Sequence, residues 1–576
     1  MKNLLYFLKN YKKESILAPL FKMLEAFFEL FVPLVVASII DKGIVSGDRE
    51  HVVKMCLVMF LLAAIGLTCS ITAQYFAAKA AVGAASEMRS TLFSHIQSLG
   101  YQEFDTIGTS SLITRMTSDI NQVQNGINLV LRLFLRSPFI VFGAMIMAFT
   151  IDVKAALIFL FVIILLSIVI FGVMFLTRPM YKKVQAALDQ ILNTTRENLS
   201  GVRIIRAFHQ EKEEYKKFAE QNDHLTALQK FAGKISGLTN PLTFVIINLG
   251  ILVLIHTGAI RVSLGTLSQG QVVALYNYMS QILVELIKLA NLIISVTRAM
   301  ACFGRIQDTL SICPEMKEGG EEIKLADGQK GLSVEFRDVS FTYAGSREPS
   351  IEHISFRVMP GQTVGIIGGT GSGKTTLVHL ISRFYDAQQG QILINGKNIR
   401  EYTYDTLREH IAVVPQKARL FAGTIRDNLL MGLSGVSEDR LKQALAVAQA
   451  EEFVMKKEGG MDAFVSQEGK NFSGGQQQRL TLARALVRQS SILILDDSAS
   501  ALDYATEAKL RQSLKNMNNH PTMFLVSQRA SMIRNADFIL VLDDGKIAGM
   551  GTHKELLYSC EIYREIFETQ YKKEEA

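Results

Sequence analysis

Hydrophobic residues fall in long blocks over the first 300 positions and in short, interrupted runs thereafter. Blocks starting near residues 15, 53, 128, 154, 237 and 270 each stay apolar for the ~20 residues a helix needs to cross a bilayer, which predicts six membrane spans. The links between them are short after the first, third and fifth spans and roughly 40 to 60 residues long after the second and fourth. The long links are polar and helix-compatible, so they are expected to extend the spans well beyond the membrane. Residues 1–14 carry Lys2, Lys9, Lys12 and Lys13, with no small-residue cleavage site ahead of the first block, and predict an uncleaved amphipathic lead-in helix.

Around 303–332 the chain turns polar, with Glu-Gly-Gly-Glu-Glu at 318–322, and reads as a linker. The short apolar runs that follow alternate with helical patterns and predict an α/β domain. Residues 363–367, Thr-Val-Gly-Ile-Ile, form a buried-strand pattern that runs into GGTGSGKTT at 368–376 and then into the helical LVHLISRF.

Composition agrees with a membrane half averaged with a soluble half: 49% hydrophobic, 20% charged, mean hydropathy +0.21. An ordinary soluble enzyme is a poor fit to it. The net charge of +7 comes with no basic run or arginine-rich arm, so nucleic acid is not an expected partner. Basic residues instead mark orientation. Arg178, Lys182, Lys183, Arg196, Arg203, Arg206, Lys212, Lys216, Lys217, Lys230 and Lys234 crowd the link from about 178 to 235, whereas the short loops hold Lys42, Arg49, Lys154 and Arg261. By the positive-inside rule the long links, both termini and everything after residue 300 face the cytoplasm of a multi-pass protein in the cell membrane. Cys56, Cys69, Cys302, Cys313 and Cys560 fit no disulfide or zinc spacing.

Charged residues inside spans are costly and by default face a cavity or a partner. Lys22, Glu25 and Glu29 lie at helical spacing on the first span, and Glu285 and Lys288 on the sixth are three apart. Neutralised pairs or snorkelling account for such residues as readily as contact with cargo does. Glu29, with Glu25 beside it, is the candidate for a cavity that takes cationic compounds.

The strand, glycine loop and helix at 363–384 match G-x-x-x-x-G-K-[ST] in the context that motif requires. Backbone N–H groups across Gly368, Gly369, Thr370, Gly371, Ser372, Gly373, Lys374, Thr375 and Thr376 can wrap phosphate oxygens at a helix N-terminus. Lys374 would bridge the β and γ phosphates of ATP, and Thr375 would ligate Mg2+. A second apolar strand, Ile492 to Leu495, ends in Asp496 and Asp497, placing a carboxylate opposite the loop to hold the metal.

NFSGGQQQRL at 471–480 resembles the signature of ABC ATPases, which reads Leu-Ser-Gly-Gly-Gln in most members. Its place between the phosphate loop and the acidic strand fits that family, and so does nearly the whole chain. FDTIGTSSLITRMTSDI at 104–120 and ENLSGVRIIRAF at 197–208 are similar to cytoplasmic loops of bacterial multidrug exporters of this class. The resemblance implies an all-α six-helix transmembrane domain over 1–302 with long cytoplasmic helical extensions, the linker over 303–332, and an α/β P-loop ABC ATPase domain over 333–576. It also implies that Tyr343 stacks on adenine, that Gln416 joins Thr375 and Asp496 around Mg2+, and that Ser500, Ala501, Leu502 and Asp503 form the loop after the acidic pair. Phe472, Ser473, Gly474, Gly475 and Gln476 would act on ATP held by a second nucleotide domain, so a dimer is expected.

Two positions depart from the family pattern. Asp497 stands where a catalytic Glu polarises the attacking water, and Gln528, in FLVSQRAS, stands where a His contacts the γ-phosphate. A base one methylene short is mispositioned, and Gln carries no proton, so binding is expected to survive while hydrolysis weakens. The combination resembles the degenerate-site subunit of a heterodimeric exporter that moves small amphipathic, multidrug-like substrates across the bilayer. A homodimer, a lipid flippase, a peptide exporter and an ATP-gated regulatory protein remain the alternatives. The six spans exclude a soluble ABC ATPase of DNA repair or translation.

Overall fold

The computed structural model describes residues 4–571 apart from Asp327 and Asn518, so Lys2 of the expected lead-in helix lies outside the described residues. The chain divides into two units: one of residues up to 97 and 110–312, the other of 98–109 and the residues from 313 onward.

Among the described residues the first unit holds six apolar helical spans: Lys9–Ile44, Arg49–Ser98, Thr109–Ile151, Val153–Ser200, Glu211–Ser263 and Gln269–Ser311. The helices Arg49–Ser98 and Val153–Ser200 have 50 and 48 residues. At ~1.5 Å per residue each is roughly 70 Å long, more than twice the ~30 Å apolar thickness of a bilayer. The long links are thus continuations of the spans. The helix of the sixth span runs on to Ser311, past the expected domain end at 302.

Small residues let these helices approach. Ala73, Ala77, Ala80 and Ala84 form a buried stripe on the second span, and a Cβ on Gly83 would lie 2.1 Å from the Tyr11 ring. A core of Leu30, Ala144, Phe159, Leu254 and Tyr278 joins five spans, and the Tyr278 hydroxyl donates to the Leu30 carbonyl at 2.6 Å. At the head of the sixth span Ser268 and Gln271 form a capping box, and Asp41 accepts from the Gly270 N–H at 2.8 Å. A carboxylate there complements the positive end of the helix.

The second unit is built on two main sheets. One is antiparallel, in the order β2-β1-β4-β5, from β1 (Val334–Phe341), β2 (Ile351–Val358), β4 (Gln389–Ile394) and β5 (Lys397–Asn398). The other runs β12-β11-β3-β10-β9-β6, from β3 (Thr363–Gly368), β6 (Ile411–Val414), β9 (Ile492–Asp496), β10 (Thr522–Val526), β11 (Phe538–Asp543) and β12 (Lys546–Gly551). Every pairing in it is parallel except β11 with β12. A small ribbon of β7 (Gly423–Thr424) and β8 (Phe464–Val465) completes the strands.

Strands β3 and β9 are nearly continuous apolar runs because both faces of the parallel sheet are covered. The segment expected to be a plain linker is bound to this unit: Glu321 bridges to Tyr402, and Gly319 lies where a Cβ would meet the Glu401 carbonyl at 2.1 Å.

Residues 98–109 also fold with this unit. In the helix Tyr101–Ile107, the Tyr101 ring stacks on Phe384 at 4.5 Å, and Asp105 accepts from the Tyr385 hydroxyl at 2.6 Å.

Candidate functional site

Parallel strands leave their C-terminal ends on one edge of a sheet, and ligands of open α/β sheets bind there. Four neighbouring strands, β3, β10, β9 and β6, bring the expected residues to that edge: the phosphate loop after β3, Gln528 after β10, Asp496 and Asp497 at and after β9, and Gln416 after β6. Residues more than a hundred positions apart are gathered by register alone. Val526 pairs with Asp496 on one side of β10 and with Ile366 on the other.

The glycines of the loop are demanded by space and dihedral. Gly373 has φ 92° and a Cβ there would meet the Ser350 carbonyl at 2.6 Å; Gly368 would meet the Leu542 carbonyl at 2.1 Å. Gly371 has φ 86°, and no atom lies within 4 Å of a Cβ on Gly369. The backbone therefore curls tightly around an open concavity, with Gly373 as N-cap of the helix Lys374–Ile381. Lys374 Nζ donates to the Gly368 carbonyl at 3.1 Å and to the Ser372 hydroxyl at 3.3 Å. Burial lowers the tendency of this ammonium to hold its proton, while the nearby Asp497 and Asp496 act in the opposite sense.

Thr375 Oγ1 lies 3.3 Å from Asp496 Oδ1, so a hydroxyl and a buried carboxylate form the hard-oxygen pair that suits Mg2+. Asp497 is half-buried, has φ 46°, and its backbone N–H donates to the Val526 carbonyl at 2.9 Å. Burial pushes both carboxyls above the ordinary carboxylate range, for Asp496 with help from its acidic neighbour. A carboxylate pair that is costly to ionise beside a buried ammonium suits a polyphosphate–Mg2+ ligand, whose charges compensate all three groups. Tyr343 is half-buried, packed edge-on against Phe341 and Tyr385, with its hydroxyl donating to Thr376 Oγ1 at 3.3 Å.

Removal of the Lys374 ammonium tests this assignment. A charge-assisted contact contributes about 1.5–3 kcal/mol. Lys374→Ala should weaken binding of a fluorescent ATP analogue roughly 10- to 100-fold.

The signature lies elsewhere on the same unit. Ser473 caps the helix Gly474–Val487 in a capping box with Gln476, which leaves the exposed Gly474 at the helix start. Phe472 turns inward into the core, its ring under Lys457 at 4.3 Å, and so anchors the motif. Gly475 approaches the loop after the acidic pair: a Cβ there would lie 3.0 Å from the Ala501 carbonyl. Within that loop Ser500 and Ala501 are exposed, Leu502 is buried, and Asp503 caps the next helix through the Thr506 N–H at 2.9 Å.

Glu25 and Glu29 lie in a charge cluster of the membrane unit that depends on a residue the sequence did not single out. Arg136, nearly buried, donates at 2.7 Å to both Glu29 and Glu285 and lies 3.9 Å from Glu25. Ser137 donates to Glu285 at 2.7 Å, Lys288 pairs with Glu285 at 2.8 Å, and Lys22 bonds Glu25 at 2.5 Å and Ser70 at 3.0 Å. Three cations face three carboxylates. Of the acidic three, Glu29 has the most exposed side chain, 39% against 16% for Glu25 and 4% for Glu285.

Comparison with known proteins agrees with this layout. A family model described as the ABC transporter transmembrane region matches residues 15–286, and one described as ABC transporter matches 351–500. The chain is 35% identical over 574 residues to the uncharacterized ABC transporter ATP-binding protein YfiB of Bacillus subtilis (strain 168), covering 100% of this chain and 99% of that one. It is 29% identical over 562 residues to the ATP-dependent lipid A-core flippase of Escherichia coli (strain K12), covering 97% and 96%. Among solved structures, a bacterial Atm1-family ABC exporter with ATP bound superposes with a TM-score of 0.78 over 99% of both chains at 23% identity, a likeness of fold.

Proposed function

The chain belongs to the ABC transporter family, and from that premise we propose that it is one subunit of an ATP-driven exporter whose own nucleotide site hydrolyses slowly. The observation that carries this reading is the pairing of an intact binding apparatus with Asp497 and Gln528 at the reacting end. Gly368, Gly371, Gly373, Lys374, Thr375 and Asp496 would hold the phosphates and the metal, and Mg2+ bound there would supply Lewis-acid stabilisation of phosphate charge. Tyr343 would stack on adenine.

The Asp497 carboxylate, half-buried just after β9, is the group available to take a proton from water, one methylene short of the family's Glu. Gln528 can hydrogen-bond a phosphate oxygen but cannot donate positive charge. Ser473, Gly474 and Gly475 offer a hydroxyl and N–H groups to nucleotide on a second half-transporter, whose Glu and His would serve the faster site. Nucleotide-driven closure of the two ATP-binding units would turn the spans between inward- and outward-facing states, in a cell membrane with both termini cytoplasmic.

The cargo is proposed to be amphipathic and small. A lipid cargo is the second reading, supported by end-to-end similarity to a lipid A-core flippase.

ATP turnover by the purified chain alone, and again with a second half-transporter from the same membrane, tests the proposal. The pair should exceed the chain alone on the order of 10²-fold, and changing the partner's Glu to Gln should abolish the gain. Robust turnover by the chain alone would mean a homodimer in which Asp497 suffices.

A further inference from the structure

Gln570 connects the last described helix, Glu561–Tyr571, to the loop that carries Gln528. Its side-chain Nε2 donates to the Gln528 carbonyl at 2.7 Å, and its Oε1 accepts from the Ala530 N–H at 2.8 Å. One amide thus spans residues 528 and 530 as a paired strand would. Only an amide matches both groups, because a carboxylate accepts from Ala530 but cannot donate to Gln528.

The helix that delivers this amide is firmly seated. Tyr563 is fully buried and bonded to His553 Nδ1 at 2.8 Å, and Phe567 lies against the His553 ring at 4.9 Å. Positions 563, 567 and 570 share one helical face.

From the opposite side the same loop is held by Arg529. Its guanidinium donates to Glu507 at 2.7 Å and to the Leu502 and Ser500 carbonyls at 3.3 Å each. Glu507 also accepts from the Ser531 hydroxyl at 2.9 Å. Residues 528–531 therefore sit between the 500–503 loop and the terminal helix, with Gln528 itself exposed at the strand-end edge.

We propose that Gln570 is a positioning residue of the ATP site, fixing the backbone at 528–530 so that Gln528 meets the γ-phosphate as the site closes. This rests on the reading of Gln528 as the γ-phosphate contact. The side-chain hydrogen bonds of Gln570 go to the backbone at 528 and 530, not to the phosphate loop or the acidic pair, so its loss should spare nucleotide binding and impair closure.

The test uses membrane vesicles containing the full-length chain and the variants Gln570→Ala, Gln570→Glu and Gln528→Ala. Amide exchange at 529–531, affinity for an ATP analogue, melting temperature, and vanadate-trapped photoreactive nucleotide on this chain are read out. Loss of two hydrogen bonds in Gln570→Ala should speed exchange at Ala530 and lower trapping about tenfold, with affinity and melting temperature retained. Gln570→Glu should keep Ala530 protected and still lose trapping, because only the bond to Gln528 is gone. If Gln570→Ala traps normally while Gln528→Ala does not, the positioning role is refuted and the reading of Gln528 stands. If neither affects trapping, the reading of Gln528 fails and the role with it. If Gln570→Ala loses affinity and melting temperature together, the residue only holds the helix in place and the proposal is overturned.

Discussion

Asp497→Glu combined with Gln528→His should raise ATP turnover at this chain's own site on the order of 100-fold. The two substitutions address the two separate departures on which the proposed slow site rests. Glu extends the carboxylate by one methylene toward the attacking water, and a misplacement of ~1 Å can cost ~10²-fold. His adds a group that can carry positive charge against the γ-phosphate as negative charge builds there. A backbone cost opposes the first change: Asp497 has φ 46°, a region that Asp tolerates better than Glu, at roughly 1–2 kcal/mol for an ordinary residue. Binding should hardly change, because the phosphate loop and Asp496 are untouched. Phosphate release per site and vanadate-trapped nucleotide on this chain measure the result. Turnover that stays at the wild-type level would place the limit outside these two residues.

That prediction uses what was legible in the sequence, and the reasons for legibility are local. The phosphate loop, the signature and the acidic pair each combine a strand end or helix start with residues whose dihedral or chemistry has few substitutes, such as Gly373 with its left-handed φ and no room for a Cβ. The six spans were equally plain, since length and apolarity are all that a bilayer requires.

Three features were not legible, and all are long-range. Residues 98–109 fold with the second unit through Tyr101 on Phe384, a contact across more than 280 positions that no local pattern encodes. Gln570 looks like one more polar residue near a helix end until register brings it to Ala530. Arg136 was hidden inside an apolar block because its partners lie on other spans. The pair that sequence spacing did reveal, Glu285 with Lys288, lies within one helix turn.

Arg136 carries the largest expected effect on stability. It opens the helix Arg136–Ile151 and holds Glu29 and Glu285 from one guanidinium, so the first, third and sixth spans meet at its side chain. The cluster is balanced as built: Lys22, Arg136 and Lys288 against Glu25, Glu29 and Glu285. Arg136→Met leaves Glu285, 4% exposed, with Lys288 and Ser137 alone and one carboxylate in excess. Removing one partner of a buried pair costs about 3–5 kcal/mol. The thermal unfolding midpoint should fall by roughly 10 °C. Adding Glu285→Gln to Arg136→Met restores neutrality and should recover most of that loss, because the uncompensated charge, not the missing attraction, is the main penalty. A single variant that melts like the parent would mean the cluster is solvated and adds no stability. Glu29 separates this from a role in transport: its half-exposed carboxylate is available to a cation, and Glu29→Gln should cost little stability while reducing efflux of cationic compounds from sealed vesicles. Unchanged efflux from that variant would leave Glu29 with a structural role only.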